Sequence, residues 1–326
     1  MKAILCKAWG EPEDLVLEDV TLPEPGPGEV KIAVHACGVN FADTLIIAGK
    51  YQEKPPFPFT PGGEIAGEVI SIGEGVTHVQ PGQRVAALCS TGGFAEEVIA
   101  SAARTLPLSD AMDFVTGAGF IITYGTSHVA LEHRAKLQAG ETLLVHGAAG
   151  GVGLAAVDIG KTMGATVIAT ASTPEKLAVA QQYGADHLIN YREEPEFRNT
   201  VKALTDGRGA DVIYDPVGGD TFDQSLRCIN WEGRILAIGF ASGRIPQAPA
   251  NILLVKNISI VGLYWGAYGR KDPKVMTSSL AKLMKWYAEG EIKPHVSQTY
   301  SLEQTADALR LLMNRKATGK VVLKVR

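Results

Sequence analysis

The stretch that decides the fold is Leu143-Leu144-Val145-His146-Gly147-Ala148-Ala149-Gly150-Gly151-Val152-Gly153. Its apolar beginning predicts a buried strand, and residues 154–159 after the glycines have the spacing of a helix. A strand, a glycine turn and a helix together direct backbone N–H groups toward a pyrophosphate. Glycine at 150 allows the phosphates to approach, and glycine at 153 allows close packing of the helix, although Ala148 replaces the usual first glycine. We therefore predict dinucleotide contacts from Ala149, Gly150, Gly151, Val152 and Gly153.

Length and composition limit the possible domain number, partners and cellular location of the protein. The 326 residues suggest two domains, and 46% apolar with 20% charged residues is ordinary for a globular protein. A net charge of −4 without a Lys/Arg cluster argues against nucleic acid or an anionic membrane as partner. The N-terminus lacks the apolar core of a signal peptide, and the four cysteines lie far apart in the sequence. These features predict a cytoplasmic protein with reduced thiols.

The organisation changes along the chain. Residues 1 to about 105 are rich in Gly and Pro with short β-branched runs, which predicts a β-rich domain, and 109–138 are predicted to be helical. Strands and helices then alternate, so we predict a doubly wound, Rossmann-type parallel sheet and an α/β fold. A further helix is expected at 275–289, and a strand at 318–325 that could return to the first domain. The predicted strands of the sheet are 142–146, 166–170, 187–190, 211–215, 234–239 and 258–263.

The tip of the second strand indicates which cofactor is bound. An acidic residue there selects NAD, whereas its absence beside a cation admits a 2′-phosphate. The tip carries Ser172 and no Asp or Glu, Lys176 follows on the next helix, and Glu175 falls within that helix. The sequence therefore favours NADP over NAD.

Residues beyond other strand ends are candidates for the nicotinamide end, because ligands of open parallel sheets bind there. Gly239 and Phe240 follow the fifth strand, and Leu263 and Trp265 follow the sixth; we assign all four to cofactor binding. A buried turn without ligand contact fits Phe240 equally well. Asp215 is expected to carry a carboxylate into this crevice, but without a histidine partner it is not assigned as a general base.

Four stretches closely resemble the zinc-independent quinone oxidoreductases, the zeta-crystallin-like group of the medium-chain dehydrogenase/reductase superfamily. They are Gly38-Val39-Asn40-Phe41-Ala42-Asp43, Pro61-Gly62-Gly63-Glu64, Ala148-Ala149-Gly150-Gly151-Val152-Gly153 and Ile189-Asn190-Tyr191-Arg192-Glu193-Glu194. The resemblance covers essentially the whole chain. It implies a GroES-like β-rich catalytic domain formed by residues 1–122 and 265–326, with an NADPH-binding Rossmann domain at 123–264.

Zinc-bearing members of the superfamily have a zinc cysteine and a zinc histidine where this chain resembles them with Asn40 and Gly63. Using Cys37 instead would still leave no histidine, and Cys89 stands alone where a structural zinc needs several closely spaced cysteines. A tetrahedral site cannot be assembled from these residues, so no metal is expected.

The resemblance also implies roles for individual side chains. Asn40 should line the nicotinamide cleft, with Thr123 near the nicotinamide and with Tyr51 and Tyr124 near the acceptor. Around the adenosine phosphate it places Ser172, Lys176, Tyr191 and, on the weakest match, Arg315. Asn40 could instead only hold its own turn, and Tyr51 could be a loop anchor.

Without a Lewis acid, oxidation of an alcohol lacks its usual means of stabilising the alkoxide, whereas hydride transfer to an already electron-poor acceptor needs much less help. The sequence therefore predicts an NADPH-dependent enzyme that reduces a quinone; reduction of an enoyl-thioester or 2-alkenal fits the same residues. A non-enzymatic structural or RNA-binding role is disfavoured by the negative net charge. A homodimer is expected from the resemblance and from the apolar last strand at 257–263, which could form a sheet edge in need of a partner.

Overall fold

The computed structural model describes residues 1–326, which form two compact units. Unit 1 comprises Met1–Ile122 and Pro294–Arg326, and unit 2 comprises Thr123–Lys293. The first division coincides with the expected one, but the second falls after Lys293 rather than after residue 264. The reason is that the predicted helix near 275–289 packs inside unit 2: Ser279 lies 2.9 Å from the Nδ1 atom of His128.

Unit 1 begins with the predicted β-rich region. Short β-branched runs between Gly and Pro turns form strands here because each run has one face to bury. One helix of seven residues was not predicted; it begins after Asn40, which caps it together with Asp43. The elements are β1 (Lys2–Leu5), β2 (Val16–Asp19), β3 (Glu29–Val39), α1 (Phe41–Ile47), β4 (Glu64–Ile72), β5 (Arg84–Leu88), β6 (Glu97–Ser101), β7 (Thr105–Pro107) and α2 (Phe114–Ala118).

The region predicted to be helical at 109–138 is divided by Gly119 into α2 and α3 (Ile121–His128). Asp113 begins α2 by accepting a hydrogen bond from the backbone N–H of Thr116. After α3, residues Val129–Arg134 continue as a π-helix, so the helical region ends earlier than the expected 138.

Unit 2 contains the predicted alternation of strands and helices. Strand positions agree with the sequence prediction except that the fifth strand begins earlier, at Ile229. The elements are β8 (Thr142–Val145), α4 (Gly151–Thr162), β9 (Thr166–Ala171), α5 (Pro174–Gln182), β10 (His187–Asn190), α6 (Phe197–Leu204), β11 (Ala210–Asp215), α7 (Gly219–Cys228), β12 (Ile229–Ala237), α8 (Ala250–Lys256), β13 (Ser259–Gly262), α9 (Tyr268–Lys271) and α10 (Pro273–Ala288).

The sheet of unit 2 has the order β10-β9-β8-β11-β12-β13, and every neighbouring pair is parallel. Counted from β8, this is the 3-2-1-4-5-6 order of a Rossmann fold, which confirms the predicted fold class. Strand β13 lies at the sheet edge, as expected from its position in the sequence. The strand interiors are fully buried apolar residues, for example Leu144, Ile213 and Ile235.

The chain then returns to unit 1 as β14 (Val296–Tyr300), α11 (Thr305–Met313) and β15 (Lys320–Lys324). Strand β15 pairs antiparallel with β3, with Val321 opposite Val39. The unit 1 sheet has the order β14-β15-β3-β4-β5-β7, and β6 also pairs with β3. The expected return of the C-terminal strand to the first domain is thus confirmed. None of the helices combines the length and apolar character needed to cross a membrane.

His146 supports the end of β8 from within the core of unit 2. It is fully buried, and its ring nitrogens lie 3.0 Å from the Thr170 hydroxyl and 2.9 Å from the Ser225 hydroxyl. Phe197 packs against the ring edge to face at 5.1 Å. Burial lowers the pKa of His146 to about 4, so the imidazole is neutral in the folded protein at neutral pH.

We expect this histidine to make stability depend on pH. Because the folded pKa is below the ordinary value, the unfolded chain binds the extra proton between pH 6.5 and 4. The contribution of His146 to the free energy of unfolding is therefore fully present above pH 6.5. It decreases by about 3 kcal/mol in total as the pH falls toward 4. Urea unfolding of His146→Gln should show a shallower decrease over this range than the unsubstituted protein. His187→Gln, on β10, is the control; equal slopes for all three proteins would contradict the assignment.

Candidate functional site

The glycine turn connects β8 to α4 as predicted. Gly147 has a φ of 56°, whereas Ala148 is fully buried and its N–H donates to the carbonyl of Thr170 at 3.1 Å. The left-handed position of the turn is thus at Gly147, which explains why alanine is tolerated at 148. A Cβ atom at Gly153 would lie 2.2 Å from the carbonyl oxygen of Gly147, so only glycine fits there. Gly150 is the N-cap of α4.

This arrangement leaves a helix N-terminus without a side-chain cap. No side chain bonds to the first N–H groups of α4, and Gly150, Gly151 and Val152 are partly exposed, whereas Ala149 is buried. A Cβ atom at Gly150 would meet only the Gly147 carbonyl oxygen, at 3.3 Å. The backbone therefore forms a cradle that suits an anionic pyrophosphate.

The residues predicted to surround the adenosine phosphate in unit 2 lie where β9 and β10 end side by side. Asn190 pairs with Ala171, so Tyr191 and Ser172 are the next residues of adjacent strands. Ser172 is 9% exposed, the ring of Tyr191 is 39% exposed, and Lys176 is half-buried in the first turn of α5. Thr173 caps that helix and accepts from the Lys176 N–H at 3.4 Å.

No carboxylate occupies this strand tip. Glu175 lies in the first turn of α5, as expected, and is exposed. Arg192 is an exposed cation at the same edge that the sequence reasoning did not assign. The backbone N–H of Arg192 donates to the side-chain oxygen of Asn190 at 3.1 Å, which closes a tight turn. The sequence Asn-Tyr-Arg indicates this turn, because asparagine side chains commonly bind the N–H two residues later.

The ends of β12 and β13 carry the residues predicted for the nicotinamide end. Gly239 is partly exposed and Phe240 is 42% exposed, which is not the buried turn considered as an alternative. Leu263 is partly exposed just after β13. Trp265 is only 7% exposed and packs against α3, where a Cβ atom at Gly125 would lie 2.5 Å from its ring. Its indole N–H is buried and has no partner. An unpaired buried donor is costly, so a ligand acceptor at this edge would satisfy it.

Asp215 does not extend into the crevice as expected. Its Oδ1 atom accepts hydrogen bonds from the N–H groups of Val217 at 2.8 Å and Gly218 at 2.9 Å, and the side chain is 2% exposed. The carboxylate therefore shapes the loop after β11. The Asp-Pro-Val-Gly sequence contains the signal for this turn, because aspartate commonly binds the N–H groups that follow it.

Tyr124 is hydrogen-bonded to a carboxylate within unit 2. Its hydroxyl donates to Asp158 Oδ2 at 2.7 Å, and the same oxygen accepts from the N–H of Lys293 at 2.8 Å. Burial raises the pKa of Tyr124 well above its ordinary value, and burial also raises the pKa of Asp158. Tyr124 is 3% exposed, and its hydroxyl joins α3 to α4 within unit 2; its place near the acceptor stays a prediction. Thr123 is similarly buried, whereas Thr126, one turn further along α3, is partly exposed.

In unit 1, Asn40 lies where β3 ends and α1 begins. Its backbone N–H donates to Asp43 Oδ2 at 2.8 Å, and its side-chain amide contacts the buried Glu64 and Lys320. Burial raises the pKa of Asp43 to about 7, although the hydrogen bond from Asn40 acts in the opposite direction. The backbone of Asn40 thus closes the turn into α1, and its side-chain amide belongs to a charged network.

The remaining predicted residues of unit 1 lie in loops. Tyr51 is half-buried in the irregular segment after Gly49, which has a φ of 67°. Arg315 is exposed, with a φ of 54°, in the turn between α11 and β15. The role of both residues therefore stays a prediction.

The residues at the expected zinc positions do not suit a metal. Asn40 supplies an amide that is already hydrogen-bonded, and Gly63 has no side chain. Cys37 is fully buried and Cys89 is half-buried; burial raises the pKa of the Cys89 thiol to about 12 and raises the pKa of the Cys37 thiol well above its ordinary value. Zinc requires thiolate, imidazole or carboxylate ligands, and no three His, Cys, Asp or Glu side chains are grouped to hold a metal.

Comparison with known proteins supplies the family. Residues 26–110 match the alcohol dehydrogenase GroES-like domain, and residues 151–286 match the zinc-binding dehydrogenase model, despite the unsuited metal positions. The chain is 45% identical over 325 residues to the quinone oxidoreductase-like protein 2 homolog of Nematostella vectensis, covering 99% of this chain and 88% of that protein.

Solved structures show the same relationship. Escherichia coli quinone oxidoreductase in complex with NADPH matches with a TM-score of 0.92 and 31% identity, over 99% of this chain and 100% of that one. The CurK enoyl reductase matches with a TM-score of 0.91 and 27% identity, over 100% and 99%. Together with the Rossmann order of unit 2 and the GroES-like match of unit 1, these results show that the chain belongs to the quinone oxidoreductase family of the medium-chain dehydrogenase/reductase superfamily.

Proposed function

We propose that this protein is an NADPH-dependent, zinc-free oxidoreductase that transfers hydride to a quinone. The observation that carries the proposal is the pair of positions Asn40 and Gly63, which provide no ligands for a Lewis acid. Without a Lewis acid, oxidation of an alcohol lacks its usual means of stabilising the alkoxide. Reduction of a quinone needs much less help, because the charge that develops is delocalised onto oxygen and can be stabilised by hydrogen bonds or water.

The residues of unit 2 fit a phosphorylated dinucleotide. The uncapped N-terminus of α4 suits the pyrophosphate, and Ser172, Lys176 and Tyr191 form an edge without a carboxylate for the 2′-phosphate. The unpaired indole N–H of Trp265 provides a donor at the nicotinamide end. When bound, NADPH would supply the hydride from its nicotinamide ring, and these side chains would bind and orient it.

Unit 1 contributes residues that the family resemblance assigns. We propose that Asn40 lines the nicotinamide cleft, that Tyr51 lies near the acceptor, and that Arg315 adds charge for the adenosine phosphate. No side chain is assigned as proton donor, since the Tyr124 hydroxyl is bound to Asp158. We propose that solvent supplies the proton to the reduced acceptor, and that the protein acts in the cytoplasm, where buried thiols such as Cys37 and Cys228 stay reduced.

Reduction of a conjugated carbon–carbon double bond is the second candidate function. The structural match to an enoyl reductase favours it, because that protein shares the fold over the whole chain. Enoyl-thioesters and 2-alkenals also delocalise the charge onto a carbonyl oxygen and so need no metal.

Acceptor preference tests the proposal. After dialysis against a chelator, stopped-flow oxidation of NADPH should be faster than the uncatalysed rate with 1,4-benzoquinone or 9,10-phenanthrenequinone. Crotonyl- and acryloyl-thioesters are the comparison. A higher kcat/KM for the thioesters would select the second candidate, and absence of turnover with every quinone would reject the first.

The cofactor assignment is tested at Lys176. We expect Lys176→Glu to reduce kcat/KM for NADPH by about 10- to 100-fold, because it removes a cation and adds an anion beside the 2′-phosphate, a change worth about 1.4–2.7 kcal/mol. The kcat/KM for NADH should change little, because NADH has no 2′-phosphate. Lys274→Glu on α10 changes the net charge equally and should leave both values unchanged. An unchanged NADPH value in Lys176→Glu would show that this lysine does not read the phosphate.

We also propose that the protein is a homodimer that pairs through the β13 edge of unit 2. Leu254 and Val255 on α8 are 76% and 69% exposed, and Ile245 before it is 70% exposed. No residue of α8 is buried, so an exposed apolar helix directly precedes the edge strand β13 in the chain. Such edges are usually covered in native proteins.

Light scattering during gel filtration tests the dimer. The unsubstituted protein should elute with twice the chain mass of 34.6 kDa. Leu254→Glu/Val255→Glu should shift the mass toward one chain, because burying two carboxylates in an apolar interface is costly. Trp231→Glu, at a 61% exposed residue near the start of β12, is the control and should stay dimeric. A monomeric unsubstituted protein would contradict the proposal.

A further inference from the structure

A buried ammonium group lies against the end of β3. Lys320 is 5% exposed on β15, which pairs with β3 so that Lys320 comes opposite the Asn40 end of that strand. Its Nζ atom donates to the carbonyl oxygen of Val39 at 3.0 Å, to Asn40 Oδ1 at 2.8 Å and to Glu64 Oε1 at 2.6 Å. An ammonium has three hydrogens, and three acceptors surround this one.

The carboxylate of Glu64, the partner of Lys320, is also fully hydrogen-bonded. Glu64 is fully buried, and its Oε1 atom accepts from Lys320 and, at 3.0 Å, from Asn40 Nδ2. Its Oε2 atom accepts from the N–H of Ile122 at 2.9 Å. A Cβ atom at Gly38 would lie 2.6 Å from Glu64 Oε1, so glycine at this position leaves room for the carboxylate.

The Asn40 amide lies between these opposite charges, and they determine its orientation. The amide oxygen faces the ammonium and the amide nitrogen faces the carboxylate. Rotating the amide by 180° would turn its N–H groups toward Lys320 and its oxygen toward Glu64, and both contacts would become repulsive. The second Nδ2 contact, to the carbonyl of Gly38, is long at 3.4 Å, and the side chain is half-buried.

Stability alone is a weak explanation for this ion pair. Removing two charges from water costs as much as their attraction commonly returns, and apolar replacements of buried pairs are often neutral. The ion pair instead fixes the orientation of the Asn40 amide, because a network without charges would accept either orientation. A fully satisfied buried network is also rigid.

We propose that Lys320 and Glu64 are positioning residues for the reduction: they hold the Asn40 amide in one orientation and thereby fix the hydrogen-bonding atoms that it presents to cofactor or acceptor. The inference rests on the role proposed above for Asn40. Neither charged side chain needs to contact the reactants, since both act through the amide.

The test removes both charges and keeps the side-chain volumes. Lys320→Met alone would leave Glu64 buried without its partner and could prevent folding. Glu64→Gln/Lys320→Met avoids this problem, because the introduced glutamine can still accept from Ile122 and can pair with either orientation of Asn40. We expect kcat for NADPH oxidation to fall at least tenfold, the KM for NADPH to stay within about threefold, and the deuterium isotope effect of 4-deuterated NADPH to increase.

Asn40→Ala makes the result specific. If the charges act through the amide, Asn40→Ala lowers kcat, and Glu64→Gln/Lys320→Met lowers it no further in the Asn40→Ala background. The matched control is Glu141→Gln/Arg234→Met, which removes the ion pair of 2.7 Å in unit 2 and should leave kcat unchanged. If the decreases in kcat caused by Asn40→Ala and by Glu64→Gln/Lys320→Met instead multiply in the combined variant, the positioning role of the ion pair is overturned and the role of Asn40 is kept. No effect of Asn40→Ala would overturn both.

A measurement without turnover tests the same point. In NMR spectra of the ¹⁵N-labelled protein, the side-chain NH₂ signals of Asn40 are identified by their loss in Asn40→Ala. We expect two well-separated signals with slow solvent exchange in the unsubstituted protein, and faster exchange with converging shifts in Glu64→Gln/Lys320→Met. Unchanged signals would show that the charges do not hold the amide and would overturn the proposal.

Discussion

The close contact between α4 and β8 is the constraint on which unit 2 depends. A side chain at Gly153 would overlap the carbonyl oxygen of Gly147, with 2.2 Å between the atoms, so the helix can only start where glycine allows it. This contact directs the N-terminus of α4 along the turn, where its N–H groups stay uncapped. His146 stabilises the end of β8 from the core of unit 2, as a neutral imidazole that is hydrogen-bonded to two hydroxyl groups.

Most of this unit could be predicted because its signals are local. Apolar runs of four to six residues form the strands, the Thr173-Pro174 pair begins α5 as expected, and the glycine turn specifies its own geometry. The variant fingerprint with Ala148 is explained once the left-handed residue is known to be Gly147. The sheet order then follows from the alternation of strands and helices.

The features that could not be predicted depend on partners distant in the sequence. Glu64 and Lys320 are separated by 256 residues, and nothing in the stretch Pro61-Gly62-Gly63-Glu64 indicates that a distant lysine neutralises its carboxylate. The hydrogen bond from the Tyr124 hydroxyl to Asp158, 34 residues away, is a further contact that no local pattern indicates. The second division of the chain was misplaced for the same reason, because the packing of α10 on residues 128–134 is tertiary.

The antiparallel pairing of β15 with β3 has a consequence for how the molecule is made. Unit 2 is a single continuous segment and can complete its core while synthesis proceeds. Unit 1 is discontinuous, and its buried carboxylate Glu64 has no counter-charge until Lys320 has left the ribosome. During most of translation, the first 122 residues therefore carry an incomplete sheet in which residues 36–39 of β3 lack their β15 partner, a state that favours chaperone binding and late folding.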